Sequence, residues 1–589
     1  MKKSKIISYI AILAAVFLSL TACSKNQDKT SNAVDSTPKF KTSVPTKTVK
    51  QGGTLRVALE TDTPFQGIFL DEISENSVDY LASQFGDETL FYYDNNYRIN
   101  KKGPATLKVD QKNKNIVVTV KNGVKWSDGK QVTAKDLEYS YEIIANKATN
   151  CERYTDQMAN IVGLREYHDG KAQTISGITY PNSENGRSIK IRFKQMFPGM
   201  YNAGSNCYSE TAAPYHYLKD VPFSKLQASD QVRKNPMFIG PYKVQKIVRG
   251  QSVTWVPNKY YWRGKPKLDK ISISVISTSS ASQAIKSHKF DVIDVVNTQW
   301  EQVKNTKNYN FVASVPMQYY YLGFKVGKWD KKQEKNVMSK NSKMNSKPLR
   351  QAMAYAMNVE QVDKRYTHGL KFKVPTLIPE QFGDYFDKNA KGYTYNLKKA
   401  NQILDQAGYK KKGKWRTQPN GKPLKINFMA MSGNTTQEPI IQNYLQQWHK
   451  VGLNVKLYNG RLIEANSFYD KLAKDDPKVD AFIGGIGMST EPSQANAYGE
   501  NSASNYARFA TKENTQLIKE MDAPESFNHG HRVKVFHKWQ KYMNEQAYVV
   551  PLDNQYTVTA VNTKLANYSL DPEKCANKHP IWYDIGFAK

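Results

Sequence analysis

The chain has 589 residues, 39% of them hydrophobic and 12% aromatic, which is ample for a large core divided among more than one lobe. A formal charge of +32 comes from 85 Lys+Arg against 53 Asp+Glu, but the lysines are spread along the chain rather than gathered as a nucleic-acid footprint would be. The excess reads as a solvated surface suited to anionic headgroups or wall polymer.

Lys2, Lys3 and Lys5 precede a short apolar run, 6–20, below the roughly 20 residues a membrane span needs. It reads as a signal peptide over 1–22. The run ends at Leu20-Thr21-Ala22-Cys23, which is similar to a bacterial lipobox, so Cys23 is the expected lipidation site and new N-terminus. Acyl methylenes at about 0.8 kcal/mol each would then hold the chain at a membrane. A plain signal peptide with a chance cysteine is the alternative. Residues 24–50, rich in Ser, Thr, Lys and Pro, are expected to form a flexible tether, with the globular part starting near Gln51. Of the remaining cysteines, Cys151 and Cys207 share a sequence region and can pair across a loop; three free thiols, with Cys575, is the alternative.

In chain order, 51–59 alternates as a strand, and 116–126 gives two β segments about the Asn122-Gly123 turn. Thr133 and Asp136 have capping-box spacing ahead of a helix with Leu137, Tyr141 and Ile144 on one face. A strand–Gly–strand unit occupies 239–262, then come a strand at 270–277 and a helix–strand pair to 296. In 317–324, MQYYYLGF, Tyr319 and Tyr321 share one strand face and Tyr320 the other. One amphipathic helix is expected over 347–366 and another over 396–409, ended by Gly408. Strands at KINFMAM, LNVKLYN and DAFIGGIG enclose a helix between the first two, an α/β pattern.

Four of these stretches, in order, resemble the extracellular oligopeptide-binding lipoproteins of peptide ABC importers, solute-binding protein family 5, cluster C. They are VTVKNGVKWSDGKQVTAKDLEYSYE (118–142), IGPYKVQKIVRGQSVTWVPNKYYWRGKPKLDKI (239–271), RQAMAYAMN (350–358) and YNLKKANQILDQAGY (395–409). The resemblance implies an α/β, periplasmic-binding-protein-like clamshell of type II with a third domain inserted in the first lobe. By analogy, lobe I is 51–70, 222–320 and 545–589, the inserted domain II is 71–221, and lobe III is 321–544. It also implies that Trp126, Ser127, Asp128 and Gly129 build a turn and are not a catalytic Ser–Asp pair.

Family contacts to peptide come from the first strand and the residues just after it, here Glu60 and Phe65, for which an ordinary strand end is the alternative. Tyr319 and Tyr321 are candidates from the strand that crosses between lobes, with core packing as the alternative. Lobe III contributes strand 480–487 and its loop, including Ile486, Met488, Glu491, Asn505 and Tyr506. Close family members place a carboxylate about four positions before the loop proline to grip the ligand α-ammonium. Met488 stands there and cannot accept that hydrogen bond, which implies longer or differently registered peptides.

No G-x-S-x-G, H-E-x-x-H or P-loop is present, so no enzyme is expected. His529, His531 and His537 enter an amphipathic helix without an acid or cysteine at ligand spacing, so neither a metal nor another cofactor is expected. The implied function is capture of extracellular oligopeptides and delivery to ABC permease subunits by a lipid-anchored monomer outside a Gram-positive membrane. A pheromone sensor or adhesin on the same fold, or a receptor for nickel or haem, are the alternatives.

Overall fold

The alternation in Thr54–Glu60 sends Leu55, Val57 and Leu59 into the interior, and this strand lies at the middle of a seven-stranded sheet. The structure is a computed structural model that describes residues 40–589 except 75, 152, 156, 434, 435, 577 and 578. The expected signal peptide, Cys23 and the first part of the expected tether lie outside the described residues. The strand order is Tyr309–Ser314, Thr557–Asn562, Val292–Asp294, Thr54–Glu60, Lys270–Ile276, Ser252–Pro257 and Tyr242–Val248. Thr54–Glu60 runs parallel to both of its neighbours, and the other pairs are antiparallel.

A second sheet of five strands has the order Asn454–Leu457, Lys425–Ala430, Ala481–Gly487, Gln318–Phe324 and Val549–Pro551. Helix Gln437–Lys450 joins its first two strands and buries Trp448, whose indole N–H donates to the Met353 carbonyl at 2.9 Å. The third sheet, of four antiparallel strands, holds Ala105–Asp110, Asn115–Val120, Ser188–Arg192 and Ile178–Thr179. Each sheet has its own apolar cluster, around Trp255 and Ile273, Phe428 and Trp539, and Ile116 and Leu137 respectively.

Local chemistry sets the elements. Thr133 and Asp136 form a reciprocal capping box at the start of Ala134–Ala145. The Asp136 carboxylate also accepts from the Trp126 indole at 3.1 Å, which ties the preceding turn to the helix. That turn needs Gly129, at φ +98°, and closes through the Trp126 N–H to the Lys130 carbonyl at 2.8 Å. The single helix expected over 347–366 is two, Lys347–Tyr355 and Val359–Thr367. The first ends at Tyr355, and Asn358 caps the second by accepting from the Gln361 N–H, an arrangement asparagine favours over a helix interior.

Two further expectations are corrected. Residues 40–50 are not a free tether, because the segment docks along the C-terminus. The Val44 N–H donates to the Tyr568 carbonyl at 3.0 Å and the Lys50 N–H to the Phe587 carbonyl at 2.9 Å. Val44 is buried, and Phe40 packs on Trp300 and Tyr556. Cys151 and Cys207 are not joined by a disulfide. The Cys151 thiol donates to the Glu72 carbonyl and the Cys207 thiol to the Ser205 carbonyl, on separate parts of the chain.

The main chain passes between the first and second sheets at 315–317 and returns at 552–556. At the return, Asp553–Gln555 pairs with Lys371–Lys373. Beside the returning connection lie a buried carboxyl, Asp363, and a half-buried lysine, Lys371. The Asp363 carboxyl is pushed up to about 9 by burial and by the nearby Asp553, although Lys371 pulls against it. The Lys371 ammonium lies 3.1 Å from Asp553 and over the Tyr320 ring.

Candidate functional site: a cavity between the third sheet and the loop after Ala481–Gly487

Strand Ala481–Gly487 pairs along its whole length with Gln318–Phe324, opposing Gly485 to Tyr320 and Gly484 to Tyr321. The glycines leave room for these rings: a Cβ on Gly485 would lie 3.1 Å from the Tyr320 ring. The ladder continues through the Met488 N–H to the Met317 carbonyl at 2.7 Å. The chain then turns toward the segment 199–211 of the third-sheet region. Thr490 donates its hydroxyl to the Ala203 carbonyl. Gly204, at φ +69°, passes so close that a Cβ there would sit 2.5 Å from the Thr490 hydroxyl oxygen, and one on Gly199 would sit 2.6 Å from the Glu491 carboxyl carbon. Only glycine permits both approaches.

Behind this contact lies a cavity of about 440 Å³, between Ser489 and Thr490 on one side and 203–211 with Asp71, Thr89 and Arg153 on the other. Its size suits a small polar ligand or part of a larger one. The Arg153 guanidinium lies 3.4 Å from Asp71 and donates to the Ser74 carbonyl at 3.2 Å. Burial opposes the Arg153 charge, but Asp71 and Glu72 outweigh it and raise its pKa. Glu210 accepts the Gly204 N–H. Burial pushes its carboxyl up to about 7, with the like charge of Asp71 adding to the rise and the N–H groups of Gly204 and Ser205 opposing it.

None of the nine residues singled out in the sequence lines this cavity. Glu60, half-buried at the end of its strand, accepts the Asp294 N–H at 3.1 Å; burial raises its pKa and the Asp294 charge adds to the rise. Phe65 is 1% exposed and packs on Phe69 in the first-sheet core. Tyr319 and Tyr321 are buried in the second-sheet core, where the Tyr319 and Tyr498 hydroxyls share a hydrogen bond of 2.8 Å and Tyr321 meets Phe482 edge-on. Ile486 opposes Tyr319 in the ladder and is half-buried, like Met488.

Glu491 is buried and ion-paired with Arg532, which also reaches Asp522 at 3.1 Å. Asn505 is fully buried and donates to the Phe509 carbonyl at 2.8 Å, while its side-chain oxygen has no hydrogen-bond partner among the described residues. Tyr506 packs on Tyr469 and Arg508. Met488 and Glu491 flank the two residues that do line the cavity, Ser489 and Thr490. His529 faces the Asp384 carboxylate and His537 the Asp384 carbonyl. Among the described residues no group of three His, Cys, Asp or Glu side chains is placed to hold a metal ion.

Sequence reasoning does not reach Arg153, Glu210, Ser489 or Thr490. The last two sit one step from residues that it does name. Arg153 and Glu210 carry no periodic or motif signal, because only the tertiary fold brings them together.

Residues 101–508 match the family of bacterial extracellular solute-binding proteins, family 5. The chain belongs to this family. It is 38% identical over 518 residues to an oligopeptide-binding protein, OppA, of Lactococcus lactis subsp. lactis, covering 87% of this chain and 86% of that one. It is 24% identical over 523 residues to the oligopeptide-binding protein AppA of Bacillus subtilis, covering 87% and 86%. Among solved structures, lactococcal OppA complexed with an endogenous peptide in the closed conformation superposes with a TM-score of 0.78 at 38% identity, covering 91% of this chain and 100% of the other. Bacillus subtilis AppA in complex with a nonapeptide gives 0.68 at 21% identity, covering 92% and 100%, and shows the fold alone. The fold is the two-lobed type II clamshell of the family.

Proposed function

We propose that this chain is a cell-surface receptor that takes up oligopeptides between its lobes and passes them to a membrane ABC permease, catalysing no reaction itself. The observation that carries the reading is the 38% identity, over nearly the whole chain, to the lactococcal protein whose closed form holds a peptide. Supporting it, among the described residues the main chain crosses between the two large sheets only at 315–317 and 552–556. Two such connections suit a hinge, and a ligand that touches both sides favours the closed state by its differential affinity. Polar hydroxyls and backbone groups around the cavity suit a ligand recognised through its main chain, with water filling the remaining room. The receptor is a monomer moored by lipid on Cys23 at the outer face of a Gram-positive membrane.

The test is titration of residues 24–589 with a mixed peptide pool, monitored by calorimetry and small-angle X-ray scattering. Heat of binding together with a smaller radius of gyration is expected. No heat with peptides, but binding of a sugar, haem or metal chelate, would contradict the reading.

A further inference from the structure

Among the described residues, three charged side chains border the 440 Å³ cavity: Asp71, Arg153 and Glu210. The single cation is committed, since Arg153 bonds to Asp71 and to the Ser74 carbonyl. Glu210 forms no ion pair with any described residue, and the Gly204 N–H that it accepts holds the carboxylate in place without neutralising it. Glu210 is half-buried, so its carboxylate has lost part of its hydration and favours a cation that answers it. Among the described residues the lining therefore carries one carboxylate more than its cation answers, on the side opposite the loop that holds Met488. Hydroxyls of Thr89 and Ser489 border the same space and can accept further hydrogen bonds.

We propose that Glu210 is a specificity-determining residue that receives an alkylammonium group of the bound ligand, either an α-amino terminus or a lysine side chain. The ammonium carries three N–H donors, one for Glu210 and the others for the surrounding hydroxyls. It also relieves the repulsion between Glu210 and Asp71. This assignment rests on reading the chain as an oligopeptide receptor.

The experiment uses residues 24–589 and four forms of each of a set of otherwise identical peptides: free or acetylated at the N-terminus, with lysine or norleucine at one position moved along the chain. The wild type is expected to favour one of the two amines. Glu210→Gln is expected to weaken binding of peptides carrying that amine by roughly tenfold or more, the usual weight of a charged hydrogen bond. Glu210→Asp, which keeps the charge, retains most of the preference. If acetylation removes the effect, the ammonium is the terminus; if norleucine removes it, the ammonium is a side chain. The proposal is overturned if Glu210→Gln weakens the acetylated norleucine peptides equally, or changes no affinity at all. A wild type that binds none of the four forms would overturn the peptide reading itself, and this assignment with it.

Discussion

Replacing Arg532 with methionine tests whether Glu491 anchors the loop that walls the cavity. Arg532 is 2% exposed and donates from Nε to the Met521 carbonyl at 2.9 Å, from Nη2 to Asp522 at 3.1 Å, and to Glu491. Burial opposes its charge, but the two carboxylates outweigh that and raise its pKa. Burial likewise raises the pKa of Glu491 and Asp522, more than Arg532 lowers it. Removing the cation leaves the buried Glu491 and the half-buried Asp522 without a counter-charge, which costs about 3–5 kcal/mol. That is a large share of the roughly 5–15 kcal/mol that holds a typical domain folded. Urea unfolding of the ligand-free protein, monitored by tryptophan fluorescence, reads the loss directly. The double variant Arg532→Met with Glu491→Gln should recover part of it, because the two groups share one network. A loss below about 1 kcal/mol in Arg532→Met, or strict additivity in the double variant, would refute the reasoning.

Asp363, with its carboxyl pushed up to about 9, holds a proton in the folded chain that the unfolded chain releases near pH 4. Its contribution to stability is therefore complete below about pH 4 and is lost as pH rises through about 9. Asp363→Asn should lessen the fall in unfolding free energy as pH rises above about 4, measured as urea stability against pH; an unchanged slope contradicts it. Gly204→Ala adds a Cβ 2.5 Å from the Thr490 hydroxyl oxygen at φ +69°, where a side chain costs roughly 1–2 kcal/mol. Peptide affinity should fall at least tenfold by calorimetry, with partial recovery in combination with Thr490→Ala. A chain that starts at residue 51 loses the docked segment with buried Val44, and should be less stable by about 2 kcal/mol or more than one that starts at residue 40; equal melting curves would show that the segment adds nothing.

The elements legible in the sequence are those decided within a few residues. The Thr133–Asp136 capping box, the Gly129 turn and the alternation of 54–60 each depend on near neighbours, and the structure has all three. The helix break at Asn358 depends on more distant chain, since the Asn358 N–H donates to Gln447 at 2.7 Å, and the pattern of 347–366 does not reveal it. The same holds for the docked segment 40–50, whose composition is that of a tether and whose hydrogen-bond partners Tyr568 and Phe587 lie more than 500 positions away. At the site, the strand and loop are legible to within a residue or two, but the side chains that line the cavity are not. Glu491 is an acid beside the right loop, yet Arg532 claims it. Arg153, Gly204 and Glu210 come together with Ser489 and Thr490 only through the packing of one region on another, and chain spacing carries no record of that.

The most direct test of the central claim is native mass spectrometry of residues 24–589 as purified from its host, then unfolding and identification of the molecules released. The account predicts a mixture of peptides of many sequences and several lengths. Release of a metal, haem or sugar in place of peptides would contradict it.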